Sequence, residues 1–334
     1  MKLLVDARSL VDASSGGVAR VARELVSAYA RKFPQDEIIC VTTGVKKPLL
    51  DPRLAAAPNV RHVHLTIPNK IWSLLSFAGL VSLVGAVERR SGACDAVFFP
   101  NIGFIGSTRG PRNLVLLLHD LSFLIEPLWF QRKQRLWHRA VRATALIRNA
   151  TRILAVSETT KRDAIRLLGI PAERITVIPI GPTLTSPPVS NDKLPTMPYL
   201  LALGDGDPRK NSATARIAAE RSQIRLFLLG NDDVPSDAEL ASIYMNASAF
   251  LYPSWYEGYG LPLHEAAQFG TPRIASTSGA LPETAPPGTF FANPAKPHQW
   301  VEAVKLALDQ QHRPIQLDPD AWKKAAEILH HSFL

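Results

Sequence analysis

The sequence predicts an α/β protein of two Rossmann-like domains whose parallel sheets face each other across a cleft. Three observations carry that prediction. Short apolar segments bounded by Gly, Pro, Asn or Asp alternate with segments of helical periodicity along the chain, which is the rhythm of a doubly wound parallel sheet. At 334 residues the chain is too long for one ordinary core. Residues 181–198, GPTLTSPPVSNDKLPTMP, carry five prolines and little apolar pattern, so they mark an interdomain crossing. The expected division is residues 1–180, a linker over 181–198, and residues 199–334.

In the first domain KLLVDA, EIICVTT, DAVFFP, NLVLLLHD and RILAVS read as strands, and GVARVARELVSAYARKF as a helix. In the second, YLLALG, IRLFLLG, AFLYPS and RIAS read as strands with helices between or after them. Ligands of such sheets sit beyond the C-terminal ends of the strands, so residues there are the candidates for function.

Composition is globular, 46% hydrophobic and 20% charged. Cys40 and Cys94 give no disulfide framework, and MKLLVDARSL lacks the apolar core of a signal peptide, so a reducing cytoplasm is expected. The net charge of +9 is uneven: residues 1–181 hold 26 Lys and Arg against 13 Asp and Glu, residues 182–334 hold 12 against 16. Much of the excess lies in WFQRKQRLWHRAVRATALIRNATR, 129–152, at helical spacing. Such a helix either rests on an anionic membrane or acceptor, or presents an ordinary solvated face. No helix-turn-helix spacing, zinc ligands or RNA-binding aromatic motif supports a nucleic-acid partner. Residues 71–87, IWSLLSFAGLVSLVGAV, are uncharged but short of the ~20 residues a bilayer span needs. Ser73, Ser76, Gly79, Ser82 and Gly85 recur every third residue there, and a packed helix with a small-residue stripe is expected.

The most informative strand end is PSWYEGYGLPLHEA, 253–266. Gly258 and Gly260 permit a tight loop, Pro262 suits a first helical turn, and the helix should run to about Phe269 with Gly270 as its cap. Glu257 then lies in the loop and Glu265 on the second turn, beside a helix N-terminus that favours an anion such as phosphate. Acids beside an anion site suit a ligand carrying hydroxyls next to phosphates, as a nucleotide sugar does.

Other strand ends offer further candidates. Gly16 and Gly17, in DARSLVDASSGGVARV, precede a helix and allow close backbone approach, yet they form no G-x-G-x-x-G fingerprint, and no G-K-[ST] loop occurs. A dehydrogenase or a P-loop ATPase is therefore poorly supported. NLVLLLHD ends in the titratable pair His119 and Asp120, and Ser157 reads mainly as a helix N-cap. In YLLALGDGDPRKN, Arg209 and Lys210 stand beside Asn211, a second candidate N-cap; two cations at a helix N-terminus can neutralise a leaving diphosphate without metal. Asp205-Gly206-Asp207 has the spacing of a carboxylate pair for a cation, but the adjacent cations compete, and Asp318 with Asp320 makes the same match by chance. These acids read as turn formers, and no metal is expected.

Taken in order, these segments resemble the retaining GT-B glycosyltransferases of family 4. YPSWYEGYGLPLHEAAQFGTPRIASTSGALPE is similar to that family's Glu-x7-Glu motif and following loop; Gly16-Gly17, His119-Asp120, AVSE at 155–158 and PRKN at 208–211 match its other segments. The resemblance implies that Glu265 binds the ribose hydroxyls and that Glu257 meets the donor sugar. Arg209 and Lys210 would hold the diphosphate, with the backbone after Gly17 and around Gly258, Tyr259, Gly260 and Leu261. His119 would lie near the anomeric carbon with Asp120 beside it, and Ser157 near the donor. The donor is a nucleotide-diphosphate hexose, with mannose a candidate. The acceptor is a lipid-linked glycan or polysaccharide at the inner face of the plasma membrane, and no cofactor is needed.

One departure stands out. Between Asn211 and the glutamate motif the family carries two helix-strand units, and here only IRLFLLG is clearly a strand, so a unit beside the nucleobase is missing. The missing unit leaves a degenerate, non-catalytic subunit as one alternative, and the same glutamates could also serve an epimerase or phosphorylase of the same fold.

Overall fold

The computed structural model describes residues 1–11, 16–103, 113–189, 198–230 and 235–334. Its chain divides into two compact units, one comprising 1–124, 130–180 and 320–334, the other 125–129 and 181–319.

The first unit is built on a seven-stranded parallel sheet: β1 (Lys2–Asp6), β2 (Glu37–Thr43), β3 (Val60–Leu65), β4 (Ala96–Phe99), β5 (Asn113–Leu118), β6 (Arg152–Ala155) and β7 (Ile175–Val177), in the order β3-β2-β1-β4-β5-β6-β7. Central strands are buried on both faces, which is why they read as continuous apolar runs: Leu3, Leu4 and Val5, and Val97, Phe98 and Phe99, are all inaccessible. The edge strands β3 and β7 alternate or are short, and the apolar runs did not reveal them. The chain leaves β1 toward β2 and returns to β4 on the other side, so the topological switch point lies between β1 and β4, which pair directly.

The second unit carries β8 (Tyr199–Asp205), β9 (Arg225–Gly230), β10 (Ala249–Tyr252), β11 (Arg273–Ser276) and β12 (Thr289–Ala292), all parallel, in the order β12-β11-β10-β8-β9. Its switch point lies between β8 and β10. Among the described residues β9 alone stands outside β8, as the absent helix-strand unit requires, and its Leu226, Phe227 and Leu228 are only half buried.

Four expectations are corrected. Residues 320–334 belong to the first unit: the Ala321–His331 helix lies on the Gly17–Lys32 helix, with Trp322, Ala325, Ala326, Leu329 and Phe333 buried. Tyr29 donates to Asp36 at 2.7 Å and lies 3.0 Å from His330 Nδ1, and Asn113 donates to the Phe333 carbonyl. The proline-rich crossing is not free over its first residues either, since Thr183 and Leu184 are buried in the second unit; 190–197 lie outside the described residues.

The apolar stretch 71–87 is not one helix but two, Asn69–Phe77 and Leu83–Ser91. Gly79, at φ +72°, breaks it, and Ser82 caps the second helix by accepting from the Gly85 amide, so Gly79 and Ser82 interrupt the expected stripe. Among the described residues no helix is long and apolar enough to cross a membrane. The basic stretch is likewise two helices, Arg132–Ala140 and Ala143–Asn149, parted by Arg142 in the left-handed region.

Candidate active site

At the switch point of the second unit, the loops after β8 and β10 bring together residues about fifty apart in sequence. Lys210 Nζ lies 2.6 Å from Glu257 Oε1 and donates to the Tyr252 hydroxyl at 3.0 Å. Burial, with the charges of Glu257 and Glu265, raises the Tyr252 phenol well above its usual range, and Arg209 pulls the other way. Tyr252 is therefore a neutral post ringed by the two glutamates and two cations that the sequence singled out.

Two glycines make this possible. A Cβ on Gly204 would stand 2.4 Å from Lys210 Cγ, so only glycine lets the lysine stem pass. A Cβ on Gly279 would stand 2.7 Å from both the nitrogen and the oxygen of Glu257, and its φ is +62°. Ala280 donates to the Glu257 carbonyl at 2.9 Å, so the loop after β11 clamps the Glu257 peptide.

Glu265 sits on the Leu261–Gln268 helix, one residue from the expected bounds, and is 5% exposed. Thr183 donates to its Oε1 and Tyr244 to its Oε2, each at 3.1 Å. A buried carboxylate needs such donors. Gly260 is the N-cap of that helix and offers no side chain to cap it; Gly258 and Tyr259 precede it, and Leu261 opens it, buried.

The PRKN turn is a single 3-10 turn, Pro208–Lys210. Asp207 caps it, accepting from the Arg209 amide at 3.0 Å and from its guanidinium at 2.8 and 3.2 Å. Burial pushes the Asp207 carboxyl up, but Arg209 outweighs it and holds the carboxyl below its ordinary range. Asp207 is thus committed to Arg209 as a turn former; Asp205 lends its backbone to β8, and its side chain lies outside the described residues. The described residues contain no group of three or more potential metal ligands. Asn211 departs from its expected capping role. It holds the N-cap position at φ +51° without capping, and donates instead to the carbonyls of Pro253 and Pro294.

In the first unit, Gly16 is the N-cap of the Gly17–Lys32 helix at φ +93°, with open space where a Cβ would be; residues 12–15 lie outside the described residues. His119 Nε2 lies 2.9 Å from the Pro100 carbonyl, which can only accept, so this nitrogen carries the proton. Burial lowers the His119 pKa, against the opposing pull of that bond and of Asp120. Asp120 accepts from the amide and hydroxyl of Ser122, at 2.9 and 2.7 Å. Ser157 caps its helix through the Thr160 amide at 3.0 Å, and the Thr160 hydroxyl reaches the His119 carbonyl at 3.4 Å.

The switch point of this unit also holds a cavity of about 270 Å³ that the sequence did not reveal. Asp6 and Arg8 from the end of β1, Asn101 from the end of β4, Asn69 and Trp72 from one helix and Trp137 from another line it. Arg8 and Asp6 pair at 2.6 and 2.8 Å, and carboxylate, guanidinium, carboxamides and indole make a surface suited to sugar hydroxyls. The signal for it is DAR at the end of β1, but Asn69, Asn101 and Trp137 are joined to it only by folding.

Residues 15–184 match the model for Glycosyltransferase Family 4, and residues 196–327 match that for Glycosyl transferases group 1. The chain belongs to glycosyltransferase family 4. The first match covers Gly16, Gly17, His119, Asp120 and Ser157, the second Arg209, Lys210, Glu257 and Glu265. Among curated relatives, the O-antigen chain mannosyltransferase B of Escherichia coli is 28% identical over 250 residues, 64% of this chain and 63% of that protein. This chain therefore spans under two thirds of that relative. Its fold is that of GT-B glycosyltransferases. Sucrose-phosphate synthase of Thermosynechococcus elongatus superposes with a TM-score of 0.70 at 19% identity, covering 100% of this chain and 95% of its own. Anabaena HepE, solved with UDP and glucose, gives 0.62 at 16% identity, covering 100% and 95%.

Proposed function

We propose that this family 4 chain transfers a hexose from a nucleoside-diphosphate sugar to the hydroxyl of a lipid-linked glycan, retaining the configuration of the anomeric carbon and using no metal. The observation that carries the reading is the cluster of Lys210, Glu257, Tyr252 and Arg209 at a topological switch point. It supplies cations for a leaving diphosphate and a fixed carboxylate for sugar hydroxyls.

In the reaction the acceptor oxygen bonds to the anomeric carbon as the bond from that carbon to the diphosphate breaks. The acceptor proton passes to the departing phosphate oxygen on the same face. Charge builds on the diphosphate, where Arg209, Lys210 and the uncapped helix after Gly260 meet it. Glu257 orients the sugar and Glu265 the ribose. The cavity lined by Asp6, Arg8 and Trp137 takes the acceptor glycan. Mannose is the favoured hexose, supported by the mannosyltransferase relative.

The test is a thermal-shift screen against nucleotide sugars, followed by transfer assays on lipid-linked acceptors with and without EDTA. Stabilisation by a nucleotide sugar and chelator-insensitive transfer with retained configuration are expected. Conversion of donor without any acceptor would assign an epimerase. Absence of any nucleotide-sugar binding would assign a non-catalytic subunit. Loss of transfer in EDTA, restored by Mn²⁺ or Mg²⁺, would overturn the metal-free mechanism.

A further inference from the structure

The Asn69–Phe77 helix buries Trp72 and Ser76 and turns Ile71, Leu74 and Phe77 outward, followed by Leu80. Leu74 and Leu80 are 66% and 73% exposed, an apolar ridge where a soluble helix would carry polar residues. The Arg132–Ala140 helix has no buried residue at all, and its Leu136 is 63% exposed. Two observations place these helices side by side. Trp72 and Trp137 line the same cavity, and the Arg142 guanidinium lies 5.8 Å over the Phe77 ring.

Charge along these two segments has one sign. Residues 69–80 and 130–150 contain seven Lys and Arg and no Asp or Glu. Lys70, Arg132, Lys133, Arg139 and Arg142 are exposed. A second protein copy would bring the same cations against themselves, whereas an anionic bilayer complements them and accepts the apolar ridge below its headgroups.

We propose that the outer faces of the 69–80 and 130–142 segments form one docking surface for an anionic lipid bilayer. The apolar residues insert, and the cations pair with lipid phosphates. The inference deepens the lipid-linked acceptor proposed above and rests on that reading for its purpose. The same two helices wall the acceptor cavity, so docking would hold that cavity close to the lipid carrying the glycan.

The test uses the full chain without donor, sedimented with vesicles of phosphatidylcholine alone or mixed with phosphatidylglycerol. Binding is expected to the anionic vesicles and not to the neutral ones. It should weaken as salt rises from roughly 0.1 M to 1 M, which shortens screening from about 10 Å to about 3 Å. Arg132→Gln with Lys133→Gln should lower partitioning at low salt by about tenfold or more, and Leu74→Ser with Leu136→Ser should lower it at every salt concentration. Circular dichroism and nucleotide-sugar thermal shifts verify that the variants fold. Four results would overturn the proposal: no binding to anionic vesicles, binding indifferent to 1 M salt, variants that bind like wild type, or dimerisation abolished by the leucine variants. Vesicle binding lost while nucleotide-sugar binding persists counts against the docking surface alone. The converse counts against the transfer reading alone.

Discussion

Lys210 Nζ lies 2.6 Å from Glu257 Oε1, and neither residue makes this pair by local geometry, because 47 positions separate them. The ammonium is held between a carboxylate and a phenol, so its position is fixed before any donor arrives, which is the condition for electrostatic preorganisation. Lys210→Ala should therefore lower kcat on the order of 100-fold, comparable to losing one oxyanion donor. Glu257→Ala should also act on kcat. Steady-state transfer kinetics decide it; variants whose rates match wild type would remove this pair from the mechanism.

Glu265 is a different case, since a contact to ribose persists from ground state to transition state. Glu265→Ala should raise the donor KM with little change in kcat. Tyr244→Phe, which takes a hydroxyl donor from Glu265, should cost about 1 kcal/mol of stability and raise the same KM more mildly. Chemical denaturation and donor titration measure the two effects separately. A change confined to kcat would contradict the assigned role.

Gly279→Ala tests whether the loop after β11 positions Glu257. The added Cβ would meet the Glu257 peptide at 2.7 Å and adopt φ +62°, so both sterics and backbone strain oppose it, at about 1–3 kcal/mol. The expected result is a lowered Tm together with a loss of kcat greater than the stability change explains. An alanine variant with wild-type kcat would show that the clamp is dispensable.

The Asp207–Arg209 pair predicts a pH dependence of stability. Because Arg209 holds the folded-state carboxyl below the unfolded value of about 3.9, the pair contributes fully above that value and is lost as pH falls through the lower folded-state value. The stability difference between wild type and Asp207→Asn should thus be constant from neutral pH to about 4 and shrink below it. Tm measured across that range checks the sign. A difference that grows on acidification would refute the pairing.

Leu329 is fully buried on the C-terminal helix and packs within the first unit, not the second. Leu329→Ala should cost about 2–5 kcal/mol, as truncations in packed cores do. Nucleotide-sugar binding by the second unit should survive under folding conditions. Equilibrium unfolding with a ligand-binding control measures both. A loss much below 1 kcal/mol, a floor set by that same range, would mean the helix is loosely held.

Sequence alone determined the parallel α/β architecture and the candidate residues, because central parallel strands are buried on both faces and their apolar runs cannot be mistaken for amphipathic segments. The Leu3–Val5 and Val97–Phe99 runs show this, and the glutamate motif was legible because glycines and proline fix a tight loop ahead of a helix. Edge strands β3, β7 and β12 were not legible, since half-solvated or short segments lack that signature. Nor could local pattern decide that Gly79 and Arg142 break helices the periodicity joined, or that residues 320–334 return to the first unit. Helical periodicity names an apolar face without naming its partner. The Lys210–Tyr252–Glu257 cluster and the cavity joining Asp6 and Arg8 to Asn69, Asn101 and Trp137 were decided by tertiary structure alone, because hydrogen bonds between distant loops exist only once the sheet sets their spacing.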